Sequence, residues 1–317
     1  EPPRGLSEGL ISSESKNPLK ETFKELVGLT PFGLVGSDNF KKELSINIIF
    51  TVLIFLASYY LYVLTGDFLQ WTAFGIGVYV ICNWIHGLKN RDPVAFLLIF
   101  KSKALLLGLL SFPFITFVTY ALGAFGPSFY IRNFSMTATE VGIIYGLITV
   151  FGSMIGVICG GILGDKLRET YVNGKLYLIM ASAVLTGVTA IGFIHSENLV
   201  ASFTWKFVYH IASTAWLGCA DSTVTELVLP RLRAVASAFF ILMLSMIGLA
   251  LGPYLTGMVS DIYINSGLLP GPALKNAMTL TLVVLVLPFG LLAIACKYLK
   301  NDEAEIYEKA RSLGEEI

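Results

Sequence analysis

Eight long stretches of the chain are almost free of charge and alternate with short polar segments. They are residues 45–66, 68–88, 104–126, 140–164, 176–195, 201–228, 234–262 and 276–298. A helix needs about 20 apolar residues to cross about 30 Å of hydrocarbon. Each stretch therefore predicts a transmembrane helix, and the longest predict tilt or extension beyond the bilayer. Val94–Phe100 is apolar but too short to cross, so it is expected at the interface before the third span. Residues 1–44 are polar. Within them Leu19, Phe23, Leu26 and Val27 recur at helical spacing with Lys20, Glu21, Lys24 and Glu25 between. That pattern predicts a short amphipathic helix on the membrane surface. Residues 302–317 are acidic and predict a solvated helical tail.

Composition agrees. Of 317 residues, 55% are hydrophobic and 14% charged, and mean hydropathy is +0.73. Soluble domains carry about 25% charged residues, and a water-facing surface cannot hide this much apolar side chain. The fold class is all-α integral membrane. Net charge is zero, which removes the electrostatic case for nucleic acid as a partner. Cys82, Cys159, Cys219 and Cys296 all fall in apolar runs without a metal-ligand spacing, and no residue set implies a metal or cofactor. Basic residues sort by side. With both termini cytoplasmic, the inner segments hold 19 Lys and Arg, the outer loops hold Arg132 and Lys275, and Lys206 alone lies within a span. The positive-inside rule then expects a multi-pass protein with cytoplasmic N- and C-termini.

Two segments carry more information. At the inner end of the fourth span, Gly160-Gly161-Ile162-Leu163-Gly164-Asp165-Lys166-Leu167-Arg168 sets small residues beside an acid and two bases. Small residues let helices approach closely in lipid. Before and through the seventh span run Pro230, Arg231, Arg233, Ala236, Ala238, Gly248, Gly252-Pro253, Gly257 and Ser260-Asp261. Gly252-Pro253 predicts a soft point, since proline removes a backbone donor.

Residues 161–168 resemble the loop signature of the major facilitator superfamily in its second copy, and 216–261 resemble spans ten and eleven of its Spinster-like branch. The residues that carry the second resemblance include Trp216, Ala220-Asp221, Pro230, Arg233, Gly248, Pro253-Tyr254-Leu255, Gly257 and Ser260-Asp261. Glu1–Gly5 is similar to the stretch after span six in that branch. The resemblance implies that 91–301 form a C-terminal six-helix transporter bundle. It also implies that 1–44 are an inter-bundle loop, 302–317 a cytoplasmic tail, and that an N-terminal bundle precedes Glu1. The segment 45–90 is an extra transmembrane hairpin, which some fourteen-span relatives carry between their bundles. Arg168 departs from the signature's usual glycine. Ser245 and Leu249 stand where the branch usually has a histidine and an acid.

The sixth apolar stretch holds four ionisable groups. Lys206, His210, Thr214, Leu217 and Asp221 fall on one helix face, while Glu226 points elsewhere. Such residues usually face a cavity or the protein interior. Lys206, near the outer end, is expected to snorkel to the interface. Glu226 is expected to pair with Arg231 or Arg233. With Thr116 and Tyr120 of the aromatic third span, Asp221, His210, Thr214 and Lys206 are the candidates for contacting substrate or coupling ions. Gly161, Gly164, Asp165, Lys166 and Arg168 form the candidate conformational loop. Arg233, Gly248, Gly252, Pro253, Gly257 and Asp261 mark the candidate gating helix.

The function implied is a secondary active transporter working by alternating access. Its substrate is a small organic or amphipathic lipid-like solute, with proton coupling open, and its partners are membrane lipids and the other bundle. The alternatives are a membrane-embedded enzyme and a non-transporting receptor on a transporter fold. His86, His195 and His210 lie on separate segments, which argues against clustered catalytic chemistry.

Overall fold

The structure is a computed structural model and describes residues 40–312. The amphipathic segment near Leu19 and the stretch Glu1–Gly5 lie outside them. Among the described residues there is no strand. Helices follow one another as α1 (Phe40–Thr65), α2 (Phe68–Arg91), α3 (Pro93–Lys101), α4 (Lys103–Phe134), α5 (Ala138–Thr170), α6 (Gly174–His195), α7 (Leu199–Thr214) and α8 (Leu217–Glu226). Then come α9 (Arg233–Met243), a π-helical turn (Leu244–Leu249), α10 (Ala250–Asn265), α11 (Pro270–Thr281), a 3-10 turn (Leu282–Leu285), α12 (Val286–Ala295) and α13 (Leu299–Ser312).

Two compact units result. Of the described residues, one comprises 40–101, Pro230–Leu232 and 307–312; the other comprises Ser102–Leu229 and Arg233–Ile306. In the first, α1 and α2 form the hairpin, and Val94–Phe100 belongs to the separate short helix α3. Arg231 grips Asp92 in a fork, with Nη1 at 2.6 Å and Nη2 at 3.5 Å. Partial burial raises the Asp92 carboxyl, but the Arg231 guanidinium and the Ala95 N–H outweigh it and hold the group below the ordinary carboxylate value. A carboxyl lowered by folding contributes its stability above the unfolded value and loses it as pH falls through the folded one. The grip therefore persists through the neutral range and fails only in acid.

In the second unit the helix ends follow from local chemistry. The Ser102 hydroxyl caps α4 by accepting from the Leu105 N–H at 3.2 Å. Thr137 and Glu140 make a reciprocal capping box at the start of α5. The core gathers Phe117, Val118 and Leu122 of α4 with Phe193, Ile194, Tyr209, Leu274 and Met278.

Among the described residues, seven helical segments are long and apolar enough to cross a membrane. The sixth expected span, 201–228, is not one helix: it breaks at Ala215-Trp216 into α7 and α8. Both break residues keep right-handed helical angles, so the chain continues in much the same direction. The cause is local competition for carbonyls. Thr214 Oγ1 donates to the His210 carbonyl at 2.8 Å, and the Trp216 indole takes the Ser213 carbonyl at 2.9 Å. The soft point also moves. Gly252-Pro253 lies inside α10, and the irregularity is the π turn ending at Leu249. Pro253 clashes with the carbonyl four residues earlier, which is Leu249. The ladder there widens, and the Ala250 N–H reaches the Ser245 carbonyl.

Two charge expectations are overturned. Glu226 pairs with Lys175, not with Arg231 or Arg233. The acidic tail is not simply solvated. Asp302 is buried, and its Oδ2 accepts from the Ser102 hydroxyl at 2.9 Å and the Ala104 N–H at 2.8 Å. It thus sets a carboxylate on the electropositive start of α4. One residue on, Glu303 meets Arg168 at 2.6 Å, which gives the residue that departs from the loop signature a partner. Asp302→Ala should lower stability by about 1–2 kcal/mol, the usual cost of losing a capping carboxylate. Glu303→Ala should cost about 0.5 kcal/mol or less, since that pair is solvated. Thermal unfolding of both variants in detergent checks the ranking.

Candidate functional site

The second unit contains a sealed aromatic cage around a cation. Lys206 of α7 is fully buried, with 0% exposure. The expectation that it snorkels to the interface is wrong. The reason is rotational: Lys206 sits on the α7 face that also buries Ser202, Tyr209 and His210, so its stem runs inward between helices. Its Nζ lies 4.3 Å from the ring centroid of Phe193 on α6, 4.4 Å from Tyr209 on α7 and 4.8 Å from Tyr145 on α5. Ring faces attract an ammonium at this range, but among the described residues Nζ has no hydrogen-bond partner. The Tyr209 hydroxyl has none either. A cation held this way is favoured by three quadrupoles and opposed by desolvation.

The cage is fixed from outside. Asn198 caps α7 by accepting from the Val200 N–H at 2.8 Å. One turn on, the Ser202 hydroxyl donates to the Phe193 carbonyl at 2.8 Å and meets the Tyr130 hydroxyl at 3.0 Å. Tyr130 in turn stacks on Phe203, with centroids 4.3 Å apart. His210, 7% exposed, sits edge-on to Tyr145 and Tyr209 and meets the Thr149 hydroxyl at 3.0 Å. Lys206 and His210 therefore share one enclosed site, as their spacing predicts.

The other candidates are placed differently. Thr214 is used structurally, donating to the carbonyls of His210 and, at 3.2 Å, Ser153. Asp221 is apart from the cage. Past the break, α8 buries Cys219, Ala220, Thr223 and Val224, while Leu217 and Asp221 are exposed. The Asp221 carboxylate accepts from the Ser237 hydroxyl on α9 at 3.3 Å. Thr116 is buried under Gly248, where an added methyl would come within 2.6 Å of Thr116 Cγ2. Tyr120 is 45% exposed, so the two do not form one wall. Gly252 packs against the Phe117 backbone and Gly257 against Phe125. Arg233 Nε donates to the Thr225 carbonyl at 3.2 Å. Asp261, Asp165 and Lys166 are exposed, and the latter two form no ion pair with another described residue. Gly161 faces open space, whereas Gly164 packs on Cys219.

Sequence reasoning missed Tyr145, Tyr209, Phe193 and Thr149. A signal was present in part. Tyr145 and Thr149 lie four apart on one helix face, and Tyr209 adjoins His210. Sequence alone does not say that these faces meet.

No family model matches the chain. An MFS-type efflux pump of Mycolicibacterium smegmatis is 30% identical over 201 residues, which cover 62% of this chain and 45% of that protein. Protein spinster of Drosophila melanogaster is 27% identical, covering 51% of this chain and 28% of its own length. Human protein spinster homolog 1 is 26% identical, covering 51% and 33%. Among solved structures, a bacterial homologue of the human lysosomal transporter Spinster, inward-facing and occupied, superposes with a TM-score of 0.51 at 22% identity. That match covers 76% of this chain and 58% of the other. The same bacterial homologue in its unoccupied form gives a TM-score of 0.50. The chain thus spans less than half the length of the curated relatives it matches. Its homologues are MFS-type and Spinster proteins, and its helices superpose on part of the fold of the bacterial Spinster homologue.

Proposed function

We propose, on its homology to MFS-type and Spinster transporters, that this chain is the C-terminal part of a secondary transporter that moves a small organic or amphipathic lipid-like solute by alternating access. Residues 91–301 are its C-terminal bundle, 45–90 an added hairpin, and both termini are cytoplasmic. A second bundle completes the transport path. Support comes from the homologues, from their greater length, and from the 19-to-2 division of basic residues.

The observation that carries the mechanism is the buried, hydrogen-bond-free Nζ of Lys206. A sealed cage accommodates the two protonation states of an amine unequally. Any motion of α5, α6 and α7 that hydrates the cage is then linked to proton exchange at Lys206. The groups that face it are Tyr145, Phe193 and Tyr209, with His210 beside them. This supports proton coupling through Lys206 and His210. The loop Gly161, Gly164, Asp165, Lys166 and Arg168 and the helix bearing Arg233, Gly248, Gly252, Pro253, Gly257 and Asp261 provide the moving parts. The test is flux into proteoliposomes bearing the complete protein, driven by an imposed proton gradient. Flux unaffected by collapsing the gradient defeats the coupling, and no flux of any solute class defeats the transport reading.

Asp221 has a separate part. Its carboxylate is exposed at the α8–α9 contact and, among the described residues, accepts from the Ser237 hydroxyl alone, an arrangement suited to a group that exchanges partners as the bundles rock. Asp221→Asn should cut flux at least tenfold with surface expression intact, while Ser237→Ala cuts it two- to threefold. Wild-type flux in the asparagine variant counts against the assignment.

A further inference from the structure

Thr149 of α5 ties two helices together at the Lys206 cage. Its hydroxyl oxygen donates to the Tyr145 carbonyl at 2.8 Å and meets His210 Nε2 at 3.0 Å. Hydrogen counting fixes the direction of the second contact. A threonine hydroxyl has one hydrogen and two lone pairs, and a carbonyl oxygen can only accept. The single hydrogen of Thr149 is therefore committed to Tyr145. What it turns toward His210 is a lone pair, so Nε2 must carry a hydrogen and donate it. In a neutral imidazole the lone pair then lies on the other nitrogen, Nδ1.

The ring is clamped in this orientation. It stands edge-on to Tyr209, with centroids 5.3 Å apart, and to Tyr145 at 6.0 Å. Behind it the α5 backbone passes so close that a methyl added at Gly152 would lie 2.7 Å from His210 Cβ. The His210 carbonyl accepts from the hydroxyls of Thr214 at 2.8 Å and Ser213 at 3.4 Å.

The groups around the ring carry no negative charge. Its own helix contributes Lys206 and Tyr209, and α5 contributes Tyr145. Tyr130 of α4 lies 6.2 Å from Tyr145, and α6 faces the cage with Phe193. A Lys206 ammonium and a His210 imidazolium one turn apart would set two like charges in this enclosure, which is unfavourable. The ring is therefore placed to gain a proton as Lys206 gives one up.

We propose that Thr149 is a positioning residue that holds His210 in its Nε2–H form, so that the coupling proton is taken up and released at His210 Nδ1. The proposal rests on the proton-coupled reading of the cage. When the cage opens, an N–H bond breaks at Lys206 Nζ and one forms at His210 Nδ1, through water admitted by the opening. The net charge of the site is unchanged. Nε2 keeps its hydrogen on Thr149 throughout, because an imidazolium donates at both nitrogens. The ring thus changes charge without changing place.

The test is nitrogen-15 magnetic resonance of the complete protein, labelled at histidine, in lipid nanodiscs. The His210 signals are those missing from His210→Gln. In mildly alkaline buffer the parent should carry hydrogen on Nε2, shifted downfield by its hydrogen bond, and none on Nδ1. On acidification the new hydrogen should appear on Nδ1. Thr149→Val keeps the shape and deletes the acceptor; it should move the Nε2 proton signal upfield and cut gradient-driven flux about tenfold. Thr149→Ser keeps the hydroxyl and should hold both the signal and flux within about twofold of the parent. Thr149→Ala replaces the valine variant if that protein is not monodisperse. A neutral parent ring with hydrogen on Nδ1 overturns the proposal. So does a valine variant that keeps the downfield signal or parental flux, or a serine variant that loses them. The spectrum needs no transport, so a complete protein without flux defeats the proton-coupled reading while the tautomer is still decided.

Discussion

Lys206→Met should abolish gradient-driven flux and at the same time raise thermal stability. The two effects have opposite signs because they come from different states of the site. In the sealed cage the Lys206 ammonium has three ring faces within 4.8 Å but no hydrogen-bond acceptor. Methionine has nearly the same length, keeps the packing against Phe193 and Tyr209, and makes favourable sulfur–ring contacts. Removing an unsatisfied buried polar group is worth about 1–3 kcal/mol, enough to raise the unfolding midpoint by several degrees. Flux should fall to background because the group proposed to exchange protons is gone. Tyr209→Phe separates the contributions: it deletes the other unpartnered atom, leaves the ring in place, and should alter stability by less than 1 kcal/mol while retaining flux. A lysine that served only packing would behave in the reverse way, with Lys206→Met flux-competent. Unfolding by intrinsic fluorescence and flux by proton-gradient assay, both on the complete protein, decide between them.

The apolar pattern carried most of the architecture and little of the site. Helix positions are legible because lipid imposes a single rule, that backbone polar groups be satisfied within each segment. The starts of α4 and α5 are legible too, since Ser102 and Thr137-x-x-Glu140 are local capping signals. What failed was anything that depends on which faces meet. Lys206 was expected at the interface because snorkelling is decided by distance from a helix end. Its burial is decided by the rotation of α7 against α5 and α6 instead. Asp302 looked like one acid in a solvated tail, yet it caps α4 from 200 residues away in sequence. The break at Ala215-Trp216 was hidden because both halves remain apolar and helical. The loop signature was only partly informative. It emphasises Gly161, which meets nothing, whereas Gly160 next to it touches the backbone of the α7–α8 break.

Gly160→Leu should eliminate the folded protein, and Gly161→Leu should not. The contrast follows from a stripe that the sequence displays and the loop signature obscures. Gly152, Gly156, Gly160 and Gly164 recur every four residues along α5, and all four are buried. A methyl group added at Gly152 would lie 2.7 Å from His210 Cβ, at Gly156 3.0 Å from Ile211 Cα, and at Gly160 2.6 Å from Ala215 Cα. Two of these three obstructions are backbone, which no rotamer change relieves. The stripe sets how closely α5 approaches α7, and through Gly152 and His210 it also sets the depth of the Lys206 cage. Ordinary overpacking costs about 1–3 kcal/mol. Here a whole leucine must enter where its first carbon already overlaps a main chain, so the helices must separate along the stripe. The packing that joins them in lipid is van der Waals contact, which separation forfeits. At Gly161 nothing lies within 4 Å, and leucine there gains helix propensity over glycine of somewhat under 1 kcal/mol. Size-exclusion profiles of fluorescently tagged variants should show a monodisperse peak for Gly161→Leu and aggregate or no peak for Gly160→Leu. Gly156→Ala, which adds one carbon, should fall between them, with a midpoint at least about 5 °C below that of the parent. Equal profiles for the two adjacent leucine variants would remove the basis for the α5–α7 contact.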